Sequence, residues 1–465
     1  MTSLLVFASC ESILEIDPRQ SIDSSQALKT PEGITANLAN IYSNLKSTLL
    51  YGRDFVATAE ALADNARIIN RAGGRYVQQG ANAPNNHFGN WATAYNVINQ
   101  INILLEALPS ANITDSFRDS VEGQIRALRA LFYFDLMRAY AYEPGMAPSP
   151  SVDFGGVPLF LTGVLDPSQI ELKSRATQAE VYSQMYADLN VAITKAPTAG
   201  GPTYVTRAFA FALYSKVALY NRDFDNAESY ATQALALKGN LSTNASYVAD
   251  WRQRVHPESL FEVTFTTDSE TIGVNESVQS AFTTRIALPP STTLGGWGAV
   301  VPTSAYLSLF PVGDVRRTLY ENGLNRSGSI VIECTKFLGK TGTVYMDNIP
   351  VMRTSELHLI RAEARLRKAA PDENAARADV NVIAQRAGLA PYDNTVVGAA
   401  LLNAIYLQRQ LELGWEGDRW FDMKRRGLGL TKSTGNVPYD DYRILAPIPI
   451  REIQSNPNLK QNANY

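Results

Sequence analysis

Cysteine is almost absent from the chain. Cys10 and Cys334 are the only two in 465 residues, so at most one bridge can form and a disulfide-stapled scaffold is excluded. Histidine is equally sparse: His87, His256 and His358 lie far apart, with no H-E-x-x-H pair and no Cys/His cluster to suggest a metal site. There is no G-x-S-x-G elbow and no phosphate-binding loop. Gly295-Gly296-Trp297-Gly298 is rich in glycine but lacks the strand and helix that a dinucleotide fingerprint needs. Charge of one sign is missing too. A net charge of −3 offers none of the basic footprint expected of a nucleic-acid binder. No apolar run is long enough to span a bilayer. Carboxylate pairs such as Glu416/Asp418 could serve a glycosidase, whose two acids flank the bond cleaved, but such pairs are too common to carry weight. The absences point to a protein without catalysis, metal or cofactor.

What is present describes a well-cored globular chain, with 45% hydrophobic and 19% charged residues. The length allows about three ordinary domains. Tyrosine outnumbers the other aromatics, 22 against 17 Phe and 5 Trp, which suits wet binding surfaces and helix-pair interfaces equally. Near the start, Leu4-Leu5-Val6-Phe7-Ala8-Ser9-Cys10 reads as the tail of a bacterial lipoprotein signal with Cys10 as the lipidated residue. The basic n-region of such a signal is missing from Met1-Thr2-Ser3. Cys334 is then an ordinary free thiol.

Helical spacing dominates the rest, so the expected fold class is mainly α. Thr30-Pro31 supplies an N-cap and a first-turn proline for a helix to about Ser47. Trp91–Leu108, Phe117–Tyr140 and Val181–Lys195 follow, the last opened by the capping box Thr177–Glu180. Arg207–Gly239 is the most legible stretch. An Ala-rich helix, the turn Asp223-Phe224-Asp225-Asn226 and a second helix with Ala227, Ala231 and Ala234 on one face form a tetratricopeptide-type pair. Such a hairpin cannot bury its apolar face alone. Helices at Ser355–Lys368, Glu373–Arg386 and Ala399–Glu412 make a second, more divergent set. Short strands are expected around Leu260–Phe265 and Ser329–Phe337, and the chain is expected to end without helix. Two polar, decorated loops interrupt this body, Tyr51–Phe88 and Ile272–Pro311. Long loops inside a compact body are usually functional or disordered. Sugars are held by flat aromatic faces and by Asn, Asp and Arg side chains that fork to hydroxyls. Asp64, Arg71 and Tyr76 in the first loop and Trp297 in the second offer that mixture.

The C-terminal part carries MRTSELHLIRAEA at Met352–Ala364, LQRQLEL at Leu407–Leu413, WEGDRWFDMKRR at Trp415–Arg426, and Ile448-Pro449…Asn456-Pro457. In these motifs it resembles the SusD/RagB family of outer-membrane nutrient-binding lipoproteins. Gln408 stands where the family usually has Glu, and the tail ends Asn-Ala-Asn-Tyr. The resemblance implies a SusD-like helical body with long irregular loops and a few short strands. It also implies a surface-exposed anchor in the outer membrane, and capture of a glycan for a SusC-like TonB-dependent barrel. Its domain division would be a signal segment at 1–9, a tether at 10–30, and helical regions at 31–250 and 251–465 packed as one body. In the family's glycan-binding prototype an aromatic at the head of one helix and an Asn five residues on contact sugar, positions that match Trp91 and Asn96. Glu363, Arg409, Glu412, Arg419 and Asp422 read instead as paired, partly buried ions of the scaffold. Other readings stay open: a repeat scaffold that binds only proteins, binding of a peptide or other non-glycan nutrient, and a glycan hydrolase.

Overall fold

The computed structural model describes residues 28–71, 73–266, 270, 273–287, 290–339 and 344–465. Cys10 and the signal segment lie outside them. The longer helices are α1 (Pro31–Asn44), α2 (Asp54–Leu62), α3 (Trp91–Ala107), α4 (Asp115–Tyr140), α5 (Gln178–Lys195), α6 (Arg207–Tyr220), α7 (Phe224–Leu237), α8 (Thr354–Arg367), α9 (Glu373–Arg386), α10 (Gly398–Glu412) and α11 (Arg419–Arg425). None is long and apolar enough to cross a membrane.

Local chemistry sets the helix ends. Thr30 accepts the Gly33 N–H and Pro31 opens α1. Thr177 and Glu180 form the reciprocal capping box of α5. Asp223 caps α7 and Asp372 caps α9, each accepting an N–H three residues on. Packing does the rest. Ala227, Ala231 and Ala234 are all fully buried, which lets α7 lie close along α6, and Tyr214 and Tyr230 stack with ring centroids 3.9 Å apart across the seam. Helices α8 and α9 make the same kind of pair, and α7 packs on α8 so that the two hairpins sit side by side. One hydrophobic core runs from Leu28 to Leu459, drawing on both halves of the chain. A small satellite core joins α8, α9 and α10.

Among the described residues, eight short strands form four antiparallel two-stranded sheets: β1 (Ala66–Ile68), β2 (Ser259–Val263), β3 (Val300–Pro302), β4 (Tyr320–Asn322), β5 (Ile332–Cys334), β6 (Ile349–Arg353), β7 (Leu430–Lys432) and β8 (Gly435–Val437), paired β1–β3, β2–β6, β4–β5 and β7–β8. The expected strand at Ser329–Phe337 is only β5. Its partner β4 and the strand β6 just ahead of α8 were not expected. The tail does carry a helical turn, Ile450–Ser455. Cys334 is a free thiol, buried.

The expected ion clusters are present and lie deep in the body. Glu412 on α10 sits 2.6 Å from Arg386 of α9, 3.1 Å from Arg353 of β6 and 3.5 Å from Arg316. Arg353 also pairs with Glu258 and Glu416, each at 2.7 Å. A second cluster joins Arg409 to Glu356, Asp418 and Asp422, while Arg425 pairs with Glu363 at 2.6 Å. Between the two clusters is a small cavity of about 30 Å³, lined by Arg138, Lys216, Arg353, Glu356, Glu416 and Asp418 among others. It has room for about one water.

Burial alone would raise the Glu412 carboxyl, but Arg386, Arg353 and Arg316 outweigh it and hold it well below the usual range. Glu356 is likewise raised by burial and, against that, pulled down to about 2 by Lys216 and Arg409. Carboxylates whose folded values lie below their unfolded ones stabilise the fold above pH ~4.3 and lose that contribution as pH falls. The melting temperature should therefore drop as pH is lowered from about 4.5 towards 2, followed by circular dichroism. Glu412→Gln should destabilise by about 3–5 kcal/mol in denaturant unfolding, because it leaves the Arg charges uncompensated.

Candidate functional site

The residues singled out in the sequence separate into three places. Trp91 and Asn96 meet at the first of them, a pocket of about 410 Å³ over the N-terminal half of α3, within the size range of small-molecule sites. Tyr95, Phe160, Glu452 and Asn456 complete its lining. Trp91 is only 3% exposed. Its ring packs edge-on against Tyr140 at 4.9 Å and against Tyr95 at 5.0 Å, so it forms the floor. Tyr95 and Phe160, half-buried and T-shaped at 5.6 Å, form the aromatic wall. Asn96 is exposed on the rim, its side-chain oxygen accepting from Gln100 and its amide N–H groups meeting no partner among the described residues. Glu452, on the turn Ile450–Ser455, brings a carboxylate with no hydrogen bond or ion pair among the described residues.

The wall is held in place through its backbone. The Tyr95 hydroxyl donates to the Pro158 carbonyl at 2.9 Å. Tyr133 accepts from the Phe160 N–H and donates to its carbonyl. Asn102 donates to the same carbonyl, and Asn99 bonds both the N–H and the C=O of Val164. Every anchor comes from α3 or α4, so the pocket is pre-formed, and its aromatic faces, amide and carboxylate are the groups that stack on and hydrogen-bond a polyhydroxylated ring.

Asp64 lies elsewhere, in a groove of about 590 Å³ lined also by Arg67, Asn70, Thr303, Thr431 and Lys432. Its two carboxylate oxygens are each 2.8 Å from Arg419 N–H donors. Arg71 and Trp297 form the third place, and the structure uses them internally. The Arg71 guanidinium is buried, donates to the Trp297 and Gly298 carbonyls, and pairs with Glu333. Trp297 carries the Arg326 guanidinium 4.1 Å above its ring. The glycines beside it answer to close approach: a Cβ on Gly296 would lie 1.8 Å from the Thr283 carbonyl oxygen, and Gly298 has φ +53° with Glu333 2.7 Å from such an atom. Tyr76 is buried, its hydroxyl donating to Asp54 at 2.9 Å. Phe160, Glu452 and Asn456 were not anticipated in the sequence. They come from loop and tail segments far from α3, and no local pattern links them to it.

Residues 332–465 match a family model described as the SusD family, and residues 14–220 match one described as starch-binding associating with outer membrane. SusD-like protein P38 of Formosa agariphila is 23% identical, the alignment covering 100% of this chain and 97% of that one. A SusD superfamily protein from Bacteroides thetaiotaomicron is 25% identical and superposes with a TM-score of 0.82, covering 95% of this chain and 100% of the other. A SusD-like carbohydrate binding protein from Bacteroides vulgatus shares the fold, with a TM-score of 0.78 at 20% identity over 92% of this chain and 96% of that one.

Because Trp91 is wedged between Tyr95 and Tyr140, Trp91→Ala should cost about 3–5 kcal/mol of stability. Urea unfolding of the variant measures it; a loss under ~1 kcal/mol would place the ring outside the core.

Proposed function

The chain belongs to the SusD/RagB family, and on that premise we propose that it is a surface lipoprotein that captures a glycan in the α3 pocket. The observation that carries this reading is the convergence of Tyr95, Phe160, Asn96 and Glu452 from three separate segments around one pre-formed opening. Aromatic faces give area against the C–H surface of a sugar. The Asn96 amide and the Glu452 carboxylate give directed bonds to hydroxyls, of which those to the charged group are the stronger. Capture and release need no bond to be made or broken, so the protein acts as a binder, not an enzyme. Within this reading Cys10 carries the lipid that holds it at the outer membrane, facing outward. The bound glycan passes to a SusC-like TonB-dependent barrel. Asp64 remains with a different groove, while Arg71, Tyr76 and Trp297 act as supports of the loops. A peptide or other nutrient would need a different match to the same pocket, and a pure protein scaffold would need no pocket.

Calorimetric titration with neutral oligosaccharides of varied linkage, and with peptides, decides among these. At least one neutral oligosaccharide should bind. Asn96→Ala and Glu452→Gln should each weaken it about tenfold, about 1.4 kcal/mol, with the melting temperature unchanged. No response to any oligosaccharide, alongside intact association with a barrel, would establish the scaffold reading; shortened products in the mixture would establish hydrolysis. Cys10→Ser should shift the full-length protein from the membrane to the soluble fraction, and retention at the membrane would rule out this anchor.

A further inference from the structure

The groove that holds Asp64 is not used by the α3 pocket, and its chemistry is different. We propose that it is a second binding site, selective for an anionic saccharide carrying carboxylate or sulfate groups. That its ligand is a saccharide rests on the reading above; that its ligand is an anion rests on the groove itself.

Four pieces of chain build it: the β1–β3 pair, the segment around the turn Val77–Gly80, and the β7–β8 hairpin. They are tied together by main-chain acceptors. Thr303 N–H bonds the Asn65 carbonyl, and the Thr434 hydroxyl donates to the Gly80 carbonyl at 3.0 Å. Two cations line the groove. Arg67 is the outward residue of β1, between buried Ala66 and half-buried Ile68, and its guanidinium has no ion pair or hydrogen bond among the described residues. Lys432 donates to the Ala61 and Leu62 carbonyls at the C-terminal end of α2, at 2.8 and 3.2 Å. An ammonium has three N–H donors, so one is left for a ligand. The single carboxylate in the lining, Asp64, is already matched by Arg419. Among the described residues the Arg67 charge in this groove therefore has no ion-pair partner.

The remaining polar lining is hydroxyl and amide, from Asn70, Thr303, Thr431 and Thr434 among others, set beside apolar Ile68, Val77 and small alanines, with no aromatic ring among the described lining residues. A neutral sugar would find no face to stack on. A uronate or sulfate would find a guanidinium fork, an ammonium N–H and several hydroxyls, the donor set that recognises planar or tetrahedral oxyanions.

The test uses calorimetry on the wild type, Arg67→Gln and Asn96→Ala with three probes of equal length: an oligogalacturonate, a sulfated galactan oligosaccharide and a maltooligosaccharide. At least one acidic probe should bind the wild type, with affinity that falls as salt is raised. Arg67→Gln should weaken it about tenfold or more, and Asn96→Ala should leave it unchanged. Arg67 has no partner to lose, so the variant should melt with the wild type and a binding defect is not a folding defect. Which acidic probe binds tells carboxylate from sulfate. Failure of both acidic probes, or unchanged affinity in Arg67→Gln, overturns the proposal. Absence of neutral-probe binding to the wild type, with acidic binding present there and weakened in Arg67→Gln, would count against the α3 pocket and leave the groove standing.

Discussion

Buried charge organises the C-terminal half of this molecule. Glu412 receives guanidiniums from β6, from α9 and from Arg316, and Arg353 answers with Glu258 and Glu416 on its other edges. Each of these groups is almost fully removed from solvent. A lattice of this kind adds little net stability, because desolvation offsets the attraction. Its effect is on specificity. Helices as rich in alanine and leucine as α8 and α10 can slide along one another at modest cost in apolar contact, but a one-turn slip here would strand a charge in the core. The β2–β6 pair, with its irregular register between Ser259 and Glu262, is fixed by the same ions, since Glu258 and Arg353 pair with each other at one end of it, where Ser259 faces Arg353.

The same device joins the two halves of the chain. Arg419 reaches back to Asp64, and Lys424 to Glu143 at 2.7 Å and the Ala141 carbonyl at 2.6 Å. Phe421 stacks with Phe55 and Phe88 at 5.4 and 5.1 Å. Helix α11 thus acts as a bolt between the C-terminal helices and the loops that follow α2. Both openings described above, the α3 pocket and the Arg67 groove, sit at the edges of this bolted body. The α3 pocket is lined by α3 together with the loop after Pro158 and the tail, and the groove by short strands and turns.

How much of this could be read in advance follows from how local each cause is. Helices with caps and a 3.6-residue period stood out: α9 falls on Glu373–Arg386 as expected, and the capping box of α5 forms as written. The strands were harder, because three-residue pairs such as β1–β3 carry no alternation to detect and exist only through contacts distant in sequence. Ile349–Arg353 was hidden by the helix it runs into. The turn at Ile450 was hidden by its prolines. At the sites, chemistry-bearing residue types were visible but their use was not. Arg71 and Asp64 belong to one loop in the sequence, yet one is a buried strut paired with Glu333 and the other meets Arg419, 355 residues away. Glu452 and Phe160 reach the α3 pocket only because the tail and the loop after Pro158 fold onto α3. Trp91 was legible as an aromatic at a helix head, and its burial against Tyr140 required the position of α4.

The loop from Pro158 to Val164 is gripped almost entirely by its peptide groups, through side chains of Tyr95, Asn99, Asn102 and Tyr133. The hands belong to the scaffold and the handle is backbone, which every residue type provides. The path of the loop is therefore largely independent of what its own side chains are. Thr162, which lines the pocket while its carbonyl is held by Asn102, can be exchanged without asking the fold to adjust. The chain has separated where the wall runs from what the wall displays, and a new preference for ligand can be written on the second without rewriting the first.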